Sequence, residues 1–347
     1  MNVSDYKRAM AICGKAGLTL MAWGPGGVGK TQAAEQYANE NGMQFCCFTT
    51  NTESLESCTG LPLNDPKSRK MVWTVPESLP IDAKKKTLLQ IDEITDAGNA
   101  MQKYLYRLVE KGEINGHKLG KNVIVTCAGN RPGDSKGSSL PPAPMITRMV
   151  HVGVCCQVPD FKPYLTERAD VDVDDWINNF AIPSNIRPEI VAFLKVNPDK
   201  LYSYQAVPRT WEKASKLMDA CSEWTGSVFM ELIKGTVGPE VGVAFFAYLR
   251  VASQIPNPAL VYKSPATAPM PTDAGVLHAL GNALVYYLDR DNAGAVITYA
   301  RRIAKEVTNG GRELAAYLMA CCANKEATVR SLPEFVEWRN ENAGLMI

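Results

Sequence analysis

The sequence has only three histidines among 347 residues, and no two of its ten cysteines are spaced as Cys-x-x-Cys. Such residues supply most zinc ligands in proteins, so a zinc site is not expected. Three cysteine pairs are adjacent in the chain and lie in apolar surroundings, namely Cys46–Cys47, Cys155–Cys156 and Cys321–Cys322. We therefore expect buried, reduced thiols and no disulfide scaffold.

The sequence also lacks long apolar runs and an excess of charge. Its longest apolar runs, such as VAFFAYL at 243–249, are far shorter than the ~20 residues that span a bilayer. The N-terminus lacks the basic and apolar segments of a secretion signal, so we expect a cytoplasmic protein without membrane contact. The formal net charge of +1 provides no overall attraction to nucleic acid.

Short apolar runs alternate with helical segments over residues 1–150. The runs lie at 18–23, 43–48, 87–94, 122–128 and 149–154. Apolar strands separated by helices predict an α/β fold, in which a mostly parallel sheet is covered by helices on both faces. The rest of the chain has a helical pattern, interrupted at 253–273 by a loop long enough to be an exposed binding element.

The stretch GPGGVGKT at 24–31 fits the pattern G-x-x-x-x-G-K-[ST] between a predicted strand and a predicted helix. Glycines let backbone N–H groups approach phosphates, Lys30 reaches the β- and γ-phosphates, and the Thr31 hydroxyl binds Mg2+. A flexible glycine turn is the alternative, but it does not explain the flanking elements. The expected cofactors are ATP and Mg2+. The residues expected to bind them are Gly24, Pro25, Gly26, Gly27, Val28, Gly29, Lys30, Thr31, Gln32 and Asp92.

A second candidate segment is TLLQIDEI at 87–94, an apolar run that ends near Asp92 and Glu93. Asp92 can hold Mg2+ together with Thr31, and Glu93 can orient and deprotonate the attacking water. Two acids at a strand end are also common on protein surfaces. The pair therefore gains its meaning from the phosphate loop upstream.

Three further side chains are candidate catalytic residues with Glu93. Asn130 follows another apolar run, where its amide could position water, although an Asn after Gly is more often a turn residue. Arg148 and Arg209 could stabilise the charge on the transferred phosphate, and a plain surface arginine is the alternative for each. One chain has no obvious room for both arginines on one phosphate, so we expect one to act in cis and one in trans.

In this order the motifs resemble those of the AAA+ ATPases, most closely the MoxR-like branch found in bacteria and phages. The resemblance covers residues from about 10 to 220. GPGGVGKT resembles Walker A, LLQIDEI resembles Walker B, and AGN resembles sensor 1, with Asn130 as its amide. SSLPPAPMITRMVHV resembles the arginine-finger segment, which makes Arg148 the finger for a neighbouring subunit, with Met149 where phenylalanine is frequent. PRTWEKAS resembles sensor 2, which makes Arg209 the lid arginine.

The resemblance also implies how the chain is divided. It predicts an AAA+ α/β core at 1–158, a helical lid at 159–220 and a helical C-terminal extension at 221–347. Segment 49–80 resembles the helix-2 insert, whose hairpin faces the channel of a ring. Basic residues in this segment are more typical of a solvated tip than of a substrate grip; they are Lys67, Arg69 and Lys70.

The function that the resemblance implies is Mg2+-dependent ATP hydrolysis at the interfaces of a homo-oligomer, a hexameric ring that remodels or activates a protein partner. The implied partner is a protein with a von Willebrand A-type domain. Two alternatives stay open. A nucleic-acid motor or helicase loader could line its channel with the basic residues at 67–70. A small-molecule P-loop kinase would not need the second acid, the amide and two distant arginines.

Overall fold

The computed structural model describes residues 1–81, 83–134, 138–165, 172–181, 183–252 and 256–342. The chain forms two compact units, the first from Met1–Val171 and Asp199–Phe246 and the second from Asp172–Pro198 and Ala247–Ile347. These units are bounded differently from the segments 1–158, 159–220 and 221–347, whose division into core, lid and extension stays a prediction.

The strands alternate with helices in the first half of the chain, as the apolar pattern predicts. The strands are β1 (Leu20–Trp23), β2 (Gln44–Thr49), β3 (Pro62–Asp65), β4 (Lys70–Trp73), β5 (Thr87–Asp92), β6 (Glu113–Ile114), β7 (His117–Lys118), β8 (Val123–Gly129) and β9 (Val150–Gly153). The helices are α1 (Val3–Ala16), α2 (Lys30–Glu40), α3 (Leu55–Thr59), α4 (Asn99–Lys111), α5 (Ala143–Ile146), α6 (Val173–Trp176), α7 (Pro188–Val196), α8 (Pro208–Ala220), α9 (Ser227–Val237), α10 (Pro239–Ala252), α11 (Pro258–Lys263), α12 (Ala274–Tyr286), α13 (Ala293–Glu306), α14 (Gly311–Lys325) and α15 (Pro333–Glu341).

The first unit is built on a parallel five-stranded sheet in the order β2-β5-β8-β1-β9. The interior strand β5 is buried from Thr87 to Ile91, because helices cover both faces of a sheet built by crossover connections. Each predicted apolar run overlaps one strand of this sheet, which confirms the predicted fold class. Parallel strands bring their carboxyl ends to one edge, where ligands bind in open α/β sheets.

A buried aromatic contact fixes the edge strand β9 to β1. The Trp23 indole N–H donates to Nδ1 of His151 at 3.0 Å, and Nε2 of His151 lies 2.8 Å from the Ile146 carbonyl oxygen. Burial lowers the pKa of His151 to about 4, so the ring is neutral, with its proton on Nε2. The contact thereby fixes the segment between Ile146 and β9, which carries Arg148.

Strands β3 and β4 form the antiparallel hairpin that the sequence predicts between β2 and β5. Its tip residues Lys67, Arg69 and Lys70 are exposed, as a solvated tip requires. The hairpin also exposes apolar side chains, since Met71 is 69% and Leu63 is 52% exposed. A β-ribbon with this composition offers apolar as well as basic contacts to a partner.

The second unit is helical. Its core joins α11 to α15 through buried aliphatic and aromatic side chains such as Leu280, Ile297 and Trp338. Helix α11 corrects the prediction of a loop at 253–273, because Pro258 at its first turn and the Asn257 side chain as N-cap allow a short helix. Residues 253–255 of that predicted loop lie outside the described residues.

All ten cysteines lie in the described residues and are free thiols. The expectation that they are buried is wrong for Cys47 and Cys155, which are exposed. Cys47 lies on the edge strand β2, where one face is open, and Cys155 follows β9 in a turn with a φ of 57°. Among the described residues, no helix is both long and apolar enough to cross a membrane.

Candidate functional site

The phosphate-binding loop connects the carboxyl end of β1 to the first turn of α2. Gly27 and Gly29 have φ values of 80° and 84°, which residues with a side chain rarely adopt. A Cβ added to Gly24 would meet the Val154 carbonyl oxygen at 2.8 Å, whereas one added to Gly26 would meet nothing within 4 Å. The loop therefore needs glycine at 27 and 29 for its backbone path and at 24 for its close approach to Val154.

Helix α2 begins without a side-chain cap from any described residue. The N–H groups of its first turn, together with those of the glycine loop, form a concave set of donors that suits an anion. The Nζ atom of Lys30 donates to the carbonyl oxygens of Gly24 at 2.7 Å and Pro25 at 3.0 Å. Burial lowers the pKa of Lys30, against the charges of Asp92 and nearby acids. The lysine thus lies within the loop that it is predicted to serve.

Thr31 and Asp92 meet across the site. The Thr31 hydroxyl donates to Oδ2 of Asp92 at 2.6 Å, because α2 starts beside the carboxyl end of β5. A hydroxyl and a carboxylate oxygen are the hard ligands that Mg2+ prefers, and Mg2+ usually takes only one or two protein ligands besides water and phosphate. The pair therefore fits the predicted Mg2+ site.

Glu93 leaves the strand direction immediately after β5. Its φ is 54°, in the left-handed region that non-glycine residues enter mainly at special sites. Thr50 fixes this turn, because its hydroxyl donates to the carbonyl oxygens of Asp92 at 3.1 Å and Glu93 at 2.7 Å. Burial raises the pKa of Glu93, and the charges of Asp92 and Asp96 raise it further. These shifts move the carboxylate toward the basicity that proton abstraction requires.

Two amides flank these residues, and one of them was missed by the sequence argument. Asn130 follows β8, and its Oδ1 accepts from Nζ of Lys30 at 3.4 Å. Asn51 follows β2 and donates through Nδ2 to Oε2 of Glu93. Asn51 gave no signal because it lies in the polar run TTNTES. Only the pairing of β2 with β5 brings it beside Glu93.

The two candidate arginines lie together at the opposite end of the sheet. Arg148 comes just before β9, and Arg209 is in the first turn of α8. The two guanidinium groups share one carboxylate: Nε of Arg148 donates to Oε2 of Glu110 at 2.8 Å, and Nε of Arg209 lies 3.5 Å from Oε1. Arg209 also donates to the Thr147 hydroxyl at 3.3 Å.

This arrangement differs from the expected division into one cis and one trans arginine. Val150 pairs with Leu20 in register, so Arg148 lies near the amino ends of β1 and β9. The phosphate loop lies at the carboxyl end of β1, roughly 13 Å of strand away. Both arginines therefore lie on the side of the sheet opposite their own phosphate loop. The sequence did not predict this position of Arg209, because it does not show where α8 packs, and the cis and trans roles stay predictions.

The comparison with known families covers most of the main sheet and its loops. Residues 20–149 match the ATPase family associated with various cellular activities (AAA). This part of the chain is similar to an AAA ATPase domain. The match includes the phosphate loop, Asp92, Glu93, Asn130 and Arg148, and it implies nucleotide binding and hydrolysis in general.

A search of curated proteins gave no match to the chain. Among solved structures, a protein of Cytophaga hutchinsonii provisionally described as an ATPase aligns with 96% of this chain and 78% of its own, at 14% identity and a TM-score of 0.32. A mutant of RuvB from Thermotoga maritima aligns with 97% of this chain and 86% of its own, at 15% identity and a TM-score of 0.31. Similarities of this size say nothing further about function.

One acidic residue, Glu110, pairs with both Arg148 and Arg209, and the sequence did not predict this contact. Glu110 lies in the last turn of α4, and no motif identifies it. Burial alone raises the pKa of Glu110, but the hydrogen bond and charge of Arg148 and the charge of Arg209 outweigh burial and lower it. Glu110 is thus ionised and holds both arginines at neutral pH. Lys213, one helical turn beyond Arg209 on α8, is also close enough for its charge to act on Glu110.

Proposed function

We propose that the protein is a Mg2+-dependent ATPase of the MoxR-like kind, which hydrolyses ATP between the subunits of a ring and remodels or activates a protein partner. The observation that carries the proposal is the position of Arg148 and Arg209. Both lie at the opposite end of the sheet from their own phosphate loop, which supports a role at the nucleotide of another subunit. A head-to-tail interface of this kind closes into a ring when its rotation permits, and a hexamer is the proposed ring.

The residues at the carboxyl edge of the sheet have distinct proposed roles. The glycine loop and the first turn of α2 hold the phosphates, and Lys30 exchanges its carbonyl contacts for phosphate oxygens. Thr31 and Asp92 hold Mg2+, which when bound neutralises charge on the β- and γ-phosphates. Glu93 takes the proton from the attacking water at its carboxylate, and Asn130 positions that water. Asn51 orients the carboxylate of Glu93.

The hairpin β3–β4 supports a protein as the partner. Its exposed apolar side chains, Met71 and Val72 among them, suit a protein surface better than a phosphate backbone. A protein with a von Willebrand A-type domain is the proposed partner class. The exposed basic tip at 67–70 favours the second candidate, a nucleic-acid motor, because it could track a phosphate backbone. Binding of labelled single-stranded DNA at low and high salt distinguishes the two candidates. Absence of binding at low salt excludes the motor, and tight salt-sensitive binding that a Lys67→Ala, Arg69→Ala, Lys70→Ala variant loses would establish it.

The proposal is tested by light scattering on the Glu93→Gln protein over a range of concentrations, with and without ATP and Mg2+. We expect a ring-sized particle only with nucleotide, since the trapped ATP would recruit the arginines of the next subunit. A Glu93→Gln, Arg148→Ala, Arg209→Ala variant is the matched control and should stay smaller. A monomer under every condition would exclude the ring mechanism and reopen the P-loop kinase alternative.

A further inference from the structure

A cavity of about 170 Å³ lies at the amino end of the sheet, beside the arginine pair. The charged side chains in its lining are Glu110, Arg148, Arg209, Glu212, Lys213 and Lys216. Four of these six are cationic and two are acidic, and Glu212 pairs with Lys216 at 2.7 Å. Around Arg148, Arg209 and Lys213 the cavity is therefore a concentration of positive charge that one carboxylate, Glu110, holds.

Lys213 is the unusual member of this group. Only 7% of the residue is exposed, and its Nζ atom has no hydrogen-bond partner among the described residues. Burying a lysine without a partner is costly, so the position of Lys213 needs an explanation. Arg148 and Arg209 already occupy both oxygens of Glu110, the nearby carboxylate that could pair with Lys213.

We propose that Lys213 is a positioning residue for Arg148 and Arg209: it replaces them as the partner of Glu110 when they turn to the nucleotide of a neighbouring subunit. The inference rests on the proposed function, because it requires a neighbour's phosphates to draw the arginines away. Without a replacement, Glu110 would be left as a partly buried charge without a partner. Lys213 removes this cost and so lowers the barrier to releasing both arginines together.

The exchange of partners at Glu110 is linked to the binding of a proton, because burial and the charges around Lys213 shift its pKa. Burial lowers the pKa of Lys213 to about 7, helped by the charges of Arg209, Arg148 and Lys216 and opposed by that of Glu110. On neighbouring elements, His151 of β9 is neutral and Cys13 of α1 stays a thiol, because burial lowers the pKa of the first and raises that of the second. The α9 charges Glu231 and Lys234 pair with each other at 2.7 Å.

When the two arginines leave, Lys213 loses their repulsion and keeps Glu110, so its pKa rises. The assembled state then binds a proton that the free subunit lacks above about pH 7. Since the state with the higher pKa is favoured by protons, assembly should weaken as pH rises. One linked proton per interface gives a fall in the association constant of at most about tenfold per pH unit.

The test compares the assembly of wild type, Lys213→Met and Lys213→Arg with ATP and Mg2+ from about pH 6.5 to about pH 9. Light scattering gives the association constant, and steady-state turnover gives kcat and KM for each variant. We expect wild-type assembly to fall with pH, Lys213→Met to be weaker and to lack this part of the fall, and Lys213→Arg to assemble well at high pH. Lys216→Met is the matched control and should keep the fall with pH, which begins at higher pH because the charge of Lys216 lowers the pKa of Lys213.

A Lys213→Met protein with the wild-type slope would overturn the inference while leaving the ring mechanism in place. A wild-type protein whose assembly does not depend on pH would do the same. A wild-type protein that never assembles with nucleotide would remove the proposed function and the inference together. Thermal unfolding of each variant shows that it is folded, so lost assembly can be separated from lost structure.

Discussion

At the scale of single residues, the candidate site depends on a few side chains. Burial and neighbouring charges shift the pKa of two of them, Lys30 and Glu93. Lys30 of the phosphate loop and the two acids at the end of β5, Asp92 and Glu93, could be predicted, because their motifs are local in sequence. Asn51, Glu110 and Lys213 could not be predicted, since each gains its meaning from a partner far away in the chain. Glu110 and Lys213, for example, lie close together only because the last turn of α4 and the first half of α8 line the same cavity.

Replacing Glu93 by glutamine should leave ATP binding intact and lower turnover by roughly 10²–10⁴-fold, because an amide cannot accept the proton of water. Wild-type turnover should also fall on the acid side, at a pH above the usual range of a glutamate, since burial and the charge of Asp92 raise the pKa of Glu93. Nucleotide titration and phosphate release measure the two effects. Unchanged turnover in Glu93→Gln would assign the proton transfer to another group.

Replacing Glu110 by glutamine should destabilise the protein by roughly 1–3 kcal/mol, between the values of exposed and buried ion pairs. The reason is that Arg148, Arg209 and Lys213 would then repel one another without their shared anion. Glu113→Gln is the control, because Glu113 pairs at 3.0 Å with Arg107, whose side chain is exposed. Urea unfolding measures both variants, and equal losses would show that Glu110 is an ordinary surface partner.

At the scale of elements, the apolar runs predicted all strands of the main sheet, and the flanking helices α2 and α4 followed from their motifs and pattern. The small hairpin β6–β7 was missed, because two-residue strands leave no periodicity. The position of α8 was missed for a different reason. Its amphipathic pattern predicts a buried face, but only the tertiary structure shows that this face packs on α1 and α9 and buries Lys213 with it.

Helix α8 should therefore become more stably packed when Lys213 is replaced by methionine. The pKa of Lys213 is about 7 in the folded chain and near its ordinary 10.5 when unfolded. The unfolded chain thus binds more protons between these values, so wild-type stability rises with pH there. We expect Lys213→Met to be the more stable protein at pH 7, with a difference that shrinks toward pH 10. Thermal unfolding across this range checks the trend, and a constant difference would show that Lys213 titrates normally.

At the scale of the whole molecule, the separation between phosphate loop and arginine pair makes each subunit incomplete on its own. This incompleteness predicts activity that rises with protein concentration. It also predicts that two different inactive subunits can restore one another. Lys30→Met would disable the phosphate loop but keep the arginines, whereas Arg148→Ala, Arg209→Ala would keep the loop and lack the arginines.

Mixing these two proteins in equal amounts should recover about a quarter of the wild-type turnover per interface, because a random head-to-tail assembly joins an intact loop to intact arginines at about one interface in four. Each variant alone should be nearly inactive at the same total concentration. A mixture of Lys30→Met with Arg107→Ala controls for the loss of an exposed arginine. About half of its interfaces should be active, because both chains carry Arg148 and Arg209 and half of the loops are intact. If Arg148 and Arg209 served the phosphate loop of their own chain, the first mixture would stay as inactive as its components. Restored turnover would instead require that the arginines of one subunit reach the nucleotide of the next.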